Sequence, residues 1–226
     1  MHRKQAILAA ALLAAASGAV CRAQTGPAQP SASSASRTRA AAGDEPLFDI
    51  GVSGYQAFTH GTTGDGTQQT AKNAAGGMLE LRYLAKPLVG FEFTFSFNPA
   101  DQTFTPTTGN CGYQCQNPFT SLSAKASEIG VDYVLAKRFG ALRPFAVGGL
   151  GFFITAPGNS VYADNTVVRP VYIFGGGVDW GFAQRLGVRL QFRDNLYKAP
   201  DLSDLYNSTG QYTQSAEPMA GFYYKY

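Results

Sequence analysis

From Phe48 onward, large apolar residues recur at every second position, which places them on one face of an extended strand. The clearest run is Val89, Phe91, Phe93, Phe95 and Phe97, interleaved with Gly90, Glu92, Thr94, Ser96 and Asn98. Leu186, Val188, Leu190 and Phe192 alternate with Gly187, Arg189, Gln191 and Arg193. Ile129, Val131, Tyr133 and Leu135 alternate with Glu128, Gly130, Asp132 and one exception, Val134. Weaker versions over residues 48–52, 79–83, 145–153, 172–180 and 222–226 bring the predicted strands to eight. Within residues 145–153 the run Gly148-Gly149-Leu150-Gly151 blurs the two faces, and a β-bulge is expected there.

The connections alternate in length. Residues 85–88, 136–142 and 183–185 are short, whereas 59–75, 99–120, 155–166 and 199–214 are long and rich in Gly, Asn, Thr and Asp. Short turns join antiparallel neighbours, so the strands run up and down in chain order. Alternating short and long connections are the signature of a membrane barrel, whose short turns lie on the periplasmic side. The fold class predicted is all-β: an eight-stranded antiparallel up-and-down transmembrane β-barrel, closed because lipid leaves no partner for an open sheet edge.

Alternation alone does not say which face is wet, since a soluble ligand-binding barrel would bury the apolar set. The polar set argues for a lumen. It carries Asp49, Glu80, Glu92, Glu128, Asp132 and Asp179 together with Arg82, Arg189, Arg193 and Lys225, charges that can neutralise one another in a narrow interior. The same face carries Gly51, Gly90, Gly130, Gly175, Gly177 and Gly187, gaps in which long side chains can lie. An eight-stranded barrel is only wide enough for side chains to fill, so salt bridges that plug the lumen are expected in preference to an ion path. Tyr83, Tyr133, Trp180, Tyr224 and Tyr226 fall near the short turns or the C-terminus, where an aromatic girdle would meet the lipid interface.

Ahead of the strands, His2, Arg3 and Lys4 precede an apolar run from Ala6 to Ala16, and Cys21-Arg22-Ala23 supplies small residues around a cleavage point after Ala23. This is the layout of a secretory signal, residues 1–23, too short in its apolar part to span a bilayer as a helix. Val20 before Cys21 does not suit a lipoprotein site. Residues 24–44 are rich in Ala and Ser with Pro27 and Pro30, and predict a disordered tail ahead of a barrel domain at 45–226. Cleavage would take Arg3, Lys4 and Arg22 from the 18 basic residues, leaving 15 against 15 acidic ones. No basic excess then remains for a nucleic-acid partner. Cys111 and Cys115 would meet oxidising conditions after export, and a disulfide-stapled loop is expected; a zinc site would need further ligands, and no His is nearby.

The ending Gly221-Phe222-Tyr223-Tyr224-Lys225-Tyr226 resembles the C-terminal assembly signal of bacterial outer-membrane barrels, carried by Gly221, Tyr224 and Tyr226, with Met219 departing from the polar residue usual at its position. Residues 45–226 as a whole resemble the OmpA/OmpX-type eight-stranded barrels. That resemblance implies a cell-envelope protein of the bacterial outer membrane, with outer-membrane lipid, periplasmic chaperones and the barrel-assembly machinery as partners.

Some barrels of this size remodel lipid, and they resemble one another in needing a His beside a hydroxyl or acid at the membrane rim. After signal cleavage His60 is the only histidine, at the start of a polar loop, and a solvated side chain is the plainer expectation. Asp194, Asp201 and Asp204 could attract calcium, but their spacing matches no calcium loop. No cofactor or metal is expected. The function expected is a structural or surface-interaction role, non-enzymatic, through four external loops on a plugged barrel that meet surface sugars, host molecules or envelope proteins. The alternatives are a lipid-modifying barrel enzyme, a small-solute pore and a soluble ligand-binding barrel.

Overall fold

The computed structural model describes residues 47–86, 89–107, 121–158, 165–202 and 209–226. The proposed signal, the Ala/Ser-rich tail, the pair Cys111 and Cys115, and Asp204 lie outside the described residues. Twelve strands are present among them: β1 (Leu47–Thr59), β2 (Thr62–Gly64), β3 (Thr67–Ala71), β4 (Ala74–Lys86), β5 (Val89–Pro99), β6 (Gln102–Pro106), β7 (Ser121–Leu122), β8 (Ala124–Ala136), β9 (Leu142–Pro157), β10 (Val167–Gly181), β11 (Leu186–Lys198) and β12 (Tyr212–Lys225).

Eight of these, β1, β4, β5, β8, β9, β10, β11 and β12, close into an antiparallel barrel in chain order, with the seam between β1 and β12. At the short-turn end the seam pairs Asp49 with Lys225, and Tyr226 N donates to Phe48 O at 2.9 Å. Farther along, the ladder pairs Tyr55 with Met219 and next Phe58 with Ala216. The skipped positions include Pro218, which has no N–H to donate. The expected bulge in the glycine run of β9 is not there: β9 keeps an unbroken register against both β8 and β10. Its inward Gly149 and Gly151 instead let β9 approach β8 closely, since a Cβ at either would strike the carbonyl of Val131 or Ile129. The register shift falls between Leu84 and Lys86 of β4, opposite β5.

The wall is apolar outside and polar inside. Phe91, Phe93, Phe95, Phe97, Leu150, Phe152, Phe174, Leu190 and Phe222 are exposed, whereas Glu92, Asp132, Asp179 and Arg193 are fully enclosed. A soluble barrel has the opposite arrangement, and this inversion suits only a surround of hydrocarbon. Val134, the exception in the β8 alternation, points inward and is 0% exposed, packed with Leu84, Ala136, Phe145 and Val147 near the short-turn end.

The remaining four strands form a second sheet in the order β2-β3-β6-β7. That order repeats β1-β4-β5-β8, the barrel strands from which these pieces continue after breaks of one or two residues, so half of the wall extends past the rim at the long-loop end. The β2–β3 hairpin turns on Asp65 and Gly66, whose φ values of 47° and 77° meet the demand of a two-residue type I′ turn for positive φ at both positions. Outside, this extension shows Thr63, Gln68, Thr70, Thr103, Thr105 and Ser121 where the barrel shows Phe and Leu. The change in side-chain chemistry marks where the apolar band stops. Inside, Phe104 and Leu122 join Ala100, Phe153, Val171, Ile173 and Tyr197 in a hydrophobic cluster at that end of the lumen.

Candidate functional site: a lumen filled by charge, below an external polar recess

The lumen is built by alternation: each wall strand contributes every second residue to it. Among the described residues, seven buried carboxyl side chains (Asp49, Glu80, Glu92, Glu128, Asp132, Asp179, Glu217) and four buried guanidiniums (Arg82, Arg143, Arg189, Arg193) point inward. They form two groups, one nearer the short turns and one nearer the long loops.

Arg189 organises the first. Its Nε donates to Asp179 Oδ1 at 2.8 Å, Nη1 to Glu80 Oε2 at 2.8 Å and Nη2 to Asp49 Oδ1 at 2.9 Å, with Glu92 at 3.7 Å. Arg82 donates through Nε to Glu92 Oε2 at 2.6 Å and through Nη1 to Asp179 Oδ2 at 3.3 Å. Arg143 bridges Asp179 and Asp49 at 2.6 and 3.0 Å. The guanidinium planes also lie on aromatic rings: Arg82 is 4.0 Å from the Phe145 centroid, and Arg189 is 5.2 Å from that of Tyr223. Each donor fork therefore meets several carboxylate oxygens at once, the geometry in which buried ion pairs offset their desolvation.

In the second group Arg193 reaches Glu128 at 3.1 Å and Asp132 at 3.3 Å, and Asn195 donates to Glu128 at 2.8 Å. Glu217 stands beside it with a Ser215 hydroxyl at 3.3 Å and no ion pair among the described residues.

Nine of the ten charges named from the sequence lie in these groups. Lys225 does not: it is half-buried at the short-turn mouth, its ammonium 5.2 Å from the Tyr223 ring. Two members escaped the sequence reading. Arg143 adjoins the short turn 136–142, just before the predicted start of its strand. Glu217 lies in the part of β12 whose outward residues, Ala216, Pro218 and Ala220, are too small to show an apolar alternation. The glycines give room in two ways. A Cβ on Gly51 would come within 2.5 Å of Glu80 Oε2 and 3.3 Å of Arg189 Nη1, while one on Gly177 would press on the Phe145 ring at 2.8 Å.

Outside the wall, Tyr83, Tyr133, Trp180 and Tyr226 are exposed at the short-turn end. Phe91 meets Tyr133 edge-on at 5.6 Å between centroids, and Tyr224 meets Tyr226 at 5.1 Å. Of the three residues expected to carry an assembly signal, Gly221 faces inward against Ser53, whereas Tyr224 and Tyr226 belong to this outer aromatic cluster.

At the other end, His60 is exposed. Its backbone is fixed by His60 N to Gln214 O at 2.9 Å and Thr213 Oγ1 to His60 O at 2.6 Å, and its imidazole has no hydrogen bond among the described residues. It lines a recess of about 10 Å³ between the wall extension and the approach to the β11–β12 connection. Asp201 is exposed, and Asp194 is bonded to Gln214 on the outer face of the wall; no group of three metal-ligating side chains occurs among the described residues.

Neisserial surface protein A superposes with a TM-score of 0.53 at 11% identity, over 79% of this chain and 97% of that one. OprG, an outer-membrane protein of Pseudomonas aeruginosa, gives 0.51 at 11%, over 81% and 97%. The fold is that of the eight-stranded outer-membrane β-barrels. At these identities the likeness is one of architecture. No protein-family model matches the sequence, and no curated protein is significantly similar to it.

Proposed function

We propose that this protein resides in the bacterial outer membrane as a non-conducting, non-enzymatic barrel that acts through contacts at its external end. The observation that carries this reading is the filled lumen. Along its axis lie Tyr223 and Arg143, then the Arg82–Arg189 group, then Arg193 with Glu128, then the apolar cluster of Phe104, Leu122, Phe153 and Tyr197. A pore needs a continuous water path, and the buried side chains of these layers, bonded to one another, argue against one.

A plugged barrel of this kind is a rigid mount for what it displays: the Thr- and Gln-faced wall extension and the external loops. Export through the N-terminal signal, insertion by the assembly machinery and a stapled Cys111–Cys115 loop complete the proposal. The exposed outer Phe and Leu side chains support the membrane setting.

The test is conductance of the full chain in a planar bilayer, with folding checked by heat-modifiable electrophoretic migration. Rare, small events at most are expected. A steady, large conductance would turn the reading to a small-solute pore.

A further inference from the structure

The recess beside His60 has a definite chemistry. Its described lining includes Thr59, His60, Thr62, Gln69, Gln102, Tyr197 and Thr213, and holds no carboxylate, lysine or arginine. Most of these groups are spent on one another. Thr62 and Thr209 share a hydroxyl contact of 2.7 Å, Thr59 donates to Ser215 at 3.1 Å, and Thr213 donates to the His60 carbonyl.

Gln69 is the exception. It is 3% exposed, and its Nε2 donates to Pro200 O at 2.9 Å and approaches Gln102 Oε1 at 3.4 Å. Those two acceptors fix which end of the amide is nitrogen, and Oε1 is left buried without a donor. A buried amide oxygen without a donor is costly unless something brought from outside supplies one. The space, about 10 Å³, is that of a single water or hydroxyl oxygen. The exposed imidazole of His60 at the rim offers a second hydrogen-bonding group and a flat surface for whatever carries that hydroxyl.

We propose that this recess is a subsite for a neutral saccharide, which inserts one hydroxyl toward Gln69 Oε1 while its ring rests against His60. The inference rests on the external-contact reading above and adds its ligand class. A sulfated or phosphorylated sugar fits less well, because an anionic group seeks several charge-assisted donors and the described lining holds no lysine or arginine. Tyr197, also in the lining, is buried and stacked on Phe153 at 4.3 Å between centroids.

The experiment uses the full chain in detergent micelles, titrated with a panel of neutral oligosaccharides (glucan, mannan, galactan and chitin fragments) and with sulfated dextran. The readouts are the NMR signals of the His60 imidazole and the affinity by calorimetry. At least one neutral oligosaccharide should move the His60 signals, and its affinity should fall at least tenfold in Gln69→Leu and severalfold in His60→Ala. Sulfated dextran should leave those signals in place. Gln69→Leu is paired with the surface change His60→Ala so that a folding defect in the first does not decide the matter.

The proposal is overturned if no neutral sugar moves the His60 signals, which would leave a recess that holds water alone. Equal binding by both variants and the parent, or binding by the sulfated polymer alone, would also overturn it. Those outcomes leave the external-contact reading standing if the barrel is silent in bilayers, whereas a large steady conductance removes that reading whatever the sugars do.

Discussion

Arg189 stands directly opposite Asp179 in the β10–β11 ladder, and the same guanidinium holds Glu80 from β4 and Asp49 from β1. One side chain thus links four of the eight wall strands through the lumen. Arg189→Met would leave three carboxylates short of their closest shared cation, and removal of one member of such a buried set costs about 3–5 kcal/mol. Urea titration in lipid vesicles should show that loss. Arg185→Met, in the exposed β10–β11 turn where Arg185 donates to Tyr224 Oη at 3.2 Å, should stay within about 0.5 kcal/mol of the parent. Equal effects from the two would mean that the lumen pairs contribute little.

The two faces of β5 should respond unequally. Phe93→Arg places a cation against lipid, for a loss of about 2–4 kcal/mol near the bilayer midplane. Glu92→Gln keeps an oxygen acceptor for Arg82 inside the barrel and should assemble with a smaller loss. Heat-modifiable migration of membrane fractions separates the cases. Efficient insertion of Phe93→Arg together with failure of Glu92→Gln would reverse the assignment of the faces.

Gly187 is paired with Tyr223 across β11 and β12, and a Cβ on Gly187 would run into the Tyr223 ring. Gly187→Ala should therefore destabilise by about 1–3 kcal/mol through overpacking. The compensating Gly187→Ala/Tyr223→Leu double variant should recover part of the loss. Denaturant midpoints of the four proteins in the cycle make the comparison, and strict additivity would show that the ring and the glycine do not communicate.

The end of β12 is tied on both sides: Lys225 N donates to Arg185 O of the β10–β11 turn at 2.7 Å, and across the seam Tyr226 N donates to Phe48 O at 2.9 Å. Deletion of Tyr224, Lys225 and Tyr226 should block membrane assembly while leaving export and signal cleavage intact, with the chain accumulating or being degraded in the periplasm. Tyr224→Ser/Tyr226→Ser keeps those backbone bonds, so an assembly defect in this variant isolates the aromatic rings. Normal amounts of folded, membrane-embedded protein from both would remove the assembly role from these residues.

The eight wall strands were legible because lipid outside and a packed lumen inside impose opposite demands on successive residues, as Phe93 and Glu92 show. Legibility failed where that contrast fades. The outward residues of β1, β4 and β12 include Gly54, Gln56, Ala75, Gly77, Ala216, Pro218 and Ala220, small or polar side chains that leave no apolar period to read, and Glu217 went unseen with them. The wall extension reads as loop in the sequence because its strands face water with Thr and Gln. Its one local cue, Asp65-Gly66, is a strong hairpin signal that could have been used. The ion-pair partners were out of reach, because Arg189 meets Glu80 and Asp49 only once the barrel closes, and the recess at Gln69 depends on β3 meeting the chain near Pro200.

Seven of the eight strand pairings in the barrel join successive wall strands, and only the β1–β12 seam joins positions from opposite ends of the domain. That one contact must wait for nearly the whole domain to be made, and it should be the slowest pairing to form, since distant pairings pay the largest loop-closure cost. Until it forms, the sheet is a curved ribbon with two bare edges that can recruit other chains. The gap in the ladder beside Pro218 interrupts this same seam, so sealing and fraying should share one address, and amide exchange in β1 around Gln56 should be faster than along the unbroken stretch of the seam from Asp49 to Tyr55.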